Sequence, residues 1–186
     1  MVNYGKKLQT ILLVAFVLMN VCIVQVSAQE KGYGAVGAHL TGGFGNGYAN
    51  CGLGAKLQLN VLHPLRLEGS FNSFIRNKDV SMHDASLNLH WLAFLTNKFC
   101  IYPLAGAGYA LTTLHAPDTK YKGLETDENT KNLSKWKVCG NFGGGLDYYL
   151  TDVIILNFEA KYKYLKFIED ENASRINLSV GIAYLF

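Results

Sequence analysis

Residues 178–186 read Leu178-Ser179-Val180-Gly181-Ile182-Ala183-Tyr184-Leu185-Phe186. Leu178, Val180, Ile182, Tyr184 and Phe186 share one parity, and Ser179, Gly181, Ala183 and Leu185 share the other. Side chains alternate across a strand, so this segment predicts a β-strand with one wholly apolar face and one mostly small or polar face. A soluble sandwich could use such a strand, but it would seldom place the aromatic on the last residue.

The same alternation recurs upstream. On 153–167, Ile154, Leu156, Phe158, Ala160, Tyr162 and Tyr164 oppose Asn157, Glu159, Lys161 and Lys163. On 135–149, Trp136, Val138, Phe142, Leu146 and Tyr148 oppose Lys135, Lys137, Asn141 and Asp147. On 82–95, Leu87, Leu89, Trp91 and Leu95 oppose Asp84, Asn88 and His90; on 65–75, Leu65, Leu67 and Phe71 oppose Arg66, Glu68 and Asn72. Further strands are predicted at roughly 32–41, 49–60 and 99–113, which with 174–186 makes eight. Each is near or above the ~9–11 residues that a tilted strand needs to cross a bilayer. On 99–113 the run Ala105-Gly106-Ala107-Gly108 carries little face information.

The connections alternate in length. His63-Pro64, Thr96-Asn97-Lys98 and Thr151-Asp152 are tight, whereas Gly42 to Tyr48, Arg76 to Ser81, His115 to Ser134 and Glu169 to Ala173 are longer and more polar. Short turns on one rim and long loops on the other are the habit of outer-membrane barrels. Eight strands return the chain to its starting rim, which lets the sheet close and removes its edges. The expected architecture is all-β: one eight-stranded antiparallel up-and-down transmembrane β-barrel.

The N-terminus predicts export. Lys6 and Lys7 precede an apolar stretch from Ile11 to Val24, broken by Asn20, and Val26-Ser27-Ala28 supplies small residues before a cut at Gln29. Residues 1–28 are therefore expected to be a signal peptide and 29–186 the barrel domain. Cys22 falls in the discarded segment, and Val21 before it is not the small residue that lipoprotein processing prefers. Of 17 Lys+Arg and 14 Asp+Glu, loss of Lys6 and Lys7 leaves 15 against 14, a formal charge of +1, which gives nucleic-acid binding no support. Cys51, Cys100 and Cys139 remain; their expected strand positions keep them apart, so free, buried thiols are predicted. None has zinc-ligand spacing, and neither metal nor cofactor is expected.

Three segments carry a family resemblance. Tyr102-Pro103-Leu104-Ala105-Gly106-Ala107-Gly108-Tyr109 resembles the Pro-x-x-Gly-x-Gly strand of the OmpA-like and OmpX-like small porin superfamily. The run Phe142 to Asp152, followed by Phe158-Glu159-Ala160-Lys161-Tyr162, resembles its penultimate hairpin. Residues 178–186 resemble the C-terminal signal that hands such barrels to their assembly machinery. The resemblance implies an outer-membrane location in a Gram-negative-type cell. It also implies outer-membrane lipid, the barrel assembly machinery and periplasmic chaperones as partners. The chain stops at Phe186, so the peptidoglycan-binding domain of full OmpA-type proteins is expected to be absent.

The inward face is expected to hold a polar network of Lys56, Glu68, Asp84, His90, Asn141, Glu159, Lys161 and Arg175, with Arg66, Lys137, Asp147, Lys163, His39 and Asn88 nearby. A hairpin turning around Leu62 would set Lys56 opposite Glu68, and Gly143 and Gly145 would make room opposite Lys161 and Glu159. An eight-stranded barrel is just wide enough for its own side chains, and unpaired charge inside it is costly, so a polar plug is predicted. The rival is a narrow ion path or a carrier of small hydrophobic ligands. Trp91, Trp136, Tyr148, Tyr162 and Tyr164 suit interfacial girdles.

Catalysis gains little. Some barrels of this size modify lipid A, and Ser81, His83, Asp84 and Ser86 lie close in sequence. Adjacent strand residues nonetheless point to opposite faces, so His83 and Asp84 cannot orient one another. The Gly42–Gly47 run precedes no helix and is no phosphate loop. The mixed-charge loop 115–134 is the expected surface for any ligand. A soluble lipocalin-like barrel would need the apolar face inward and Glu159, Lys161 and Lys163 outward. The sequence thus predicts a non-enzymatic envelope protein that presents loops.

Overall fold

The computed structural model describes residues 34–45, 48–77, 80–115, 132–168, 171–172 and 174–186. The expected signal peptide and residues 116–131 of the long loop lie outside them. The strands are β1 (Gly34–Gly45), β2 (Tyr48–Leu62), β3 (Leu65–Asn77), β4 (Val80–Trp91), β5 (Ala93–Phe94), β6 (Phe99–His115), β7 (Asn132–Tyr149), β8 (Ile154–Ile168), β9 (Glu171–Asn172) and β10 (Arg175–Leu185). Eight of them are long. β5 continues β4 past Leu92 and pairs with β6, while β9 pairs, among the described residues, with the end of β8 alone.

Every long strand is antiparallel to its chain neighbour, and β10 pairs with both β1 and β8. The sheet is thus a closed barrel with no lateral edge through the wall, the condition for placing backbone in lipid. Following one rung from Gly34 through Leu59, Leu67, Leu89, Ala105, Phe142, Tyr162 and Ile176 returns to β1 at Phe44, ten residues further along. With a strand spacing of ~4.8 Å and a rise of ~3.3 Å, that stagger gives a tilt of ~41° and a backbone radius of ~8 Å.

The faces sort as the alternation predicts. Val36, Leu53, Leu87, Val138, Phe142, Tyr162, Leu178 and Ile182 are among the exposed large apolar residues, whereas Gln58, Glu68, Asn88, His90, Asn141, Asp147 and Asn157 are almost fully buried. A wall of exposed Leu, Ile, Val and Phe around a charged interior is stable only when lipid covers the wall. The barrel therefore spans a membrane. The structure also settles β6: Cys100, Tyr102, Leu104 and Ala110 point inward, and Ile101, Ala105, Ala107 and Tyr109 point outward.

Three expectations need correction. The segments 42–48 and 76–81 are not long loops, because β1 runs to Gly45 and β3 to Asn77, leaving two-residue connections. Ladder bonding needs no side chain, so Gly42 and Gly43 still pair with Leu178 and Asn177. His115 and Asn132 likewise belong to the β6–β7 ladder rather than to the loop. Cys51 is free but exposed on the outer wall, since its parity is that of Leu53; Cys100 and Cys139 are free and buried.

The third correction concerns register. The hairpin turns at His63-Pro64, with Leu62 opposite Leu65, rather than around Leu62, and a one-residue shift follows between Asn60 and Leu62, so Gln58 faces Glu68 and Lys56 faces Ser70. The bulge follows from the tight His63-Pro64 corner, where an extra residue on one strand is absorbed locally.

Candidate functional site

The lumen is filled in layers, counted here from the short-turn rim. Leu92, Phe94, Cys100, Tyr149, Ile155, Ala183 and Leu185 belong to a buried apolar cluster at that end. It sits where β5, β6, β7 and β8 meet their tight turns and β10 ends.

Above it lies the Arg66 layer. Arg66 Nη1 donates to Asp147 Oδ2 at 2.6 Å, and Asn157 Nδ2 donates to Asp147 Oδ1 at 2.5 Å. The Arg66 guanidinium reaches His90 Nδ1 at 3.1–3.3 Å and lies 4.7 Å from the centre of the Tyr102 ring. Tyr102 stacks on His90 with centroids 4.6 Å apart. Register explains how this ring fits: Tyr102 pairs with Gly145, where a Cβ would stand 2.5 Å from its ring and hydroxyl.

The next layer is built on Glu68 and Glu159. Lys56 Nζ is 2.8 Å and Lys161 Nζ 2.7 Å from Glu159, and the Tyr102 hydroxyl donates to Glu159 Oε1 at 3.0 Å. Lys161 is also 3.5 Å and Lys56 3.8 Å from Glu68. Gln58 and Asn88 donate to the two oxygens of Glu68 at 2.9 and 3.1 Å, and Asn141 donates to Asn88. Gly143 and Gly145 oppose Lys161 and Glu159 as the sequence suggested.

Higher still, Asp84 meets Lys163 at 2.7 Å and Arg175 at 2.9 Å, and accepts from Asn72, whose Oδ1 is 2.6 Å from His39 Nε2. Arg175 packs 4.1 Å from the centre of the Phe74 ring, and Phe74, Met82, Ala110 and Cys139 form a second apolar cluster. The polar layers therefore lie between two apolar ones.

The structure brings Lys56, Glu68, Asp84, His90, Asn141, Glu159, Lys161 and Arg175 together inside the barrel. The proposed Lys56–Glu68 pair is secondary: Lys56 makes its short contact with Glu159, 103 residues away. Tyr102, Gln58 and Ser86 join the network unforeseen. Tyr102 had a signal in principle, because its parity matches Cys100 and Leu104, but the following Ala-Gly repeat hid the face.

On the outer wall, Trp91, Tyr148 and Tyr184 lie beside the short turns, paired with Leu65, Leu156 and Ile154. Tyr162 and Tyr164 sit toward the opposite rim. Trp136 stands on the part of β7, Asn132–Val138, that pairs with β6 alone among the described residues. Leu178, Val180, Ile182, Tyr184 and Phe186 all face outward, and Phe186 exchanges backbone hydrogen bonds with Gly34 at 2.9 and 3.1 Å.

No family model matches the chain, and no curated protein does. Solved structures do. Neisserial surface protein A overlays with a TM-score of 0.60 at 13% identity, over 83% of this chain and 97% of its own. Ail, the attachment invasion locus protein of Yersinia pestis, gives 0.54 at 18%, over 84% and 100%. The N-terminal barrel of Pseudomonas aeruginosa OprF gives 0.52 at 17%, over 84% and 100%. The chain is an outer-membrane-type β-barrel. At these identities the likeness establishes the fold, and the outer-membrane-type barrel must be assigned a role from its own residues.

Proposed function

We propose that this barrel resides in the outer membrane as a structural, surface-presenting protein whose lumen is closed to solutes. The observation that supports the reading is the packed lumen, in which five cations and four carboxylates are paired between two apolar clusters. A path for ions would need those pairs to part. With the interior committed to packing, function falls to the long-loop rim. There β6 and β7 carry the loop 116–131 on the longest hairpin of the described barrel, 17 and 18 residues per strand. Export by a signal peptide, 1–28, and insertion by the barrel assembly machinery with periplasmic chaperones belong to the same proposal. The proposed role is non-enzymatic.

Trypsin added to intact cells tests location and presentation together. Lys120, Lys122 and Lys131 lie in the loop. Cleavage there, with the barrel fragments left intact, is expected. Resistance in intact cells with cleavage only after the envelope is opened would contradict the surface assignment.

A further inference from the structure

Charge balances layer by layer through the lumen, except at its long-loop end. Arg66 pairs with Asp147, and Lys56 and Lys161 are shared between Glu68 and Glu159, so the two lower layers are neutral. In the upper layer Asp84 stands between Lys163 and Arg175, and among the described residues no other carboxylate pairs with either. These two cations also face one another across the β8–β10 ladder, where like charges repel. Lys137, half-buried and of the same inward parity as Cys139, adds positive charge at this end.

The Arg175 guanidinium is short of acceptors. Its Nη2 donates to Asp84 Oδ2 at 2.9 Å, its Nη1 donates to the Met82 sulfur, a weak acceptor, and its Nε is buried without a partner. Both Asp84 oxygens are already engaged, Oδ1 by Lys163 and Asn72 and Oδ2 by Arg175. The wall beside the guanidinium is bare. A Cβ on Gly43 would stand 3.4 Å from Arg175 Nη1 and 3.3 Å from Asn177 Oδ1. Asn50, Gly43 and Asn177 form one rung across β2, β1 and β10, and the Oδ1 atoms of both asparagines are buried without partners. A turned amide would offer Nδ2 to the same space.

A buried charge without a counter-charge is costly, and an uncommitted guanidinium N–H is a strong donor to an anion. We infer that the long-loop end of the lumen binds one small monovalent anion, such as chloride, between Arg175, Lys163 and the Asn50–Gly43–Asn177 rung. One negative charge offsets the excess of the Asp84 layer. A water molecule would satisfy the orphaned atoms and leave that charge in place. The site is a dead end, because the neutral Glu159 and Asp147 layers lie beneath it, so it stands independently of the surface role proposed above.

Crystals of the full barrel grown with bromide in place of chloride test this directly. An anomalous peak in contact with the Arg175 guanidinium is expected. In solution, urea unfolding of the detergent-folded barrel should respond when chloride replaces gluconate at constant ionic strength. Above the dissociation constant, each tenfold rise in chloride should lower the unfolding constant about tenfold, by linkage to one site. Arg175→Met leaves Lys163 balanced by Asp84 and should give the same unfolding constant at every chloride level. Lys98→Met, which removes an exposed cation at a short turn, should respond like wild type. Bromide at the surface alone, a wild type indifferent to chloride, an equal chloride response in Arg175→Met, or a lost response in Lys98→Met would each overturn the inference. The bromide and wild-type measurements decide the matter if Arg175→Met does not fold.

Discussion

Glu159 accepts from Lys56, Lys161 and the Tyr102 hydroxyl, all within 3.0 Å. Removing it leaves two buried ammonium groups with only the longer contacts to Glu68. Breaking one side of a buried pair typically costs about 3–5 kcal/mol, and water in the lumen would reduce that. Glu159→Ala should therefore destabilise strongly in urea unfolding from lipid, as should Lys56→Ala, and the double variant should cost less than their sum. Additive costs would refute the contact. Gly145→Val should also destabilise, because its side chain claims the space of the Tyr102 ring; the loss of Tyr102 stacking on His90 would be visible in near-ultraviolet circular dichroism. At this scale the sequence reveals which residues point inward but not which of them meet. Lys56 and Glu159 approach only because the barrel closes with a ten-residue stagger, and the bulge at Asn60 and Leu62 is invisible in the alternation.

The strands themselves are the most legible level. β3, β4, β7 and β8 alternate apolar with charged residues, and period-two patterning on a sheet with one lipid face and one polar face leaves no second solution. β6 resisted because Ala and Gly suit either face, and β1 extended beyond its apolar stretch because backbone pairing continued without it. The assignment of faces predicts depth-dependent costs. Val180, halfway along β10 and outward, should lose about 2–4 kcal/mol on replacement by Arg, whereas Ile154 beside the short turn should lose about 0–1 kcal/mol. Equal costs would mean that the wall is not buried in lipid as described. The seam gives a second prediction at this scale. Tyr184 packs outward where β10 meets both β1 and β8, and Phe186 bonds to Gly34. Replacing both with Ala should impair insertion while leaving export intact. Normal heat-modifiable barrel in the outer membrane would show that the aromatic ends are dispensable.

At the scale of the whole molecule, strand number and stagger fix a radius of ~8 Å, and that radius decides what the interior can be. Long side chains from β3, β4 and β8 meet across it, and glycines on β6 and β7 give them room. The cations and carboxylates pair, and apolar clusters cap both ends of the polar core. The sequence made a polar plug foreseeable, but the two apolar layers were not, since the lower one alone gathers Leu92 and Phe94, Cys100, and Ile155 from three separate stretches of the chain. Single-channel recording of the purified barrel in planar lipid bilayers tests this closure most directly. The account predicts no stable conductance steps from the wild-type protein, and intermittent steps once Lys56 and Glu159 are both replaced by Ala. Large, long-lived steps from the wild type would contradict it and make the barrel a channel.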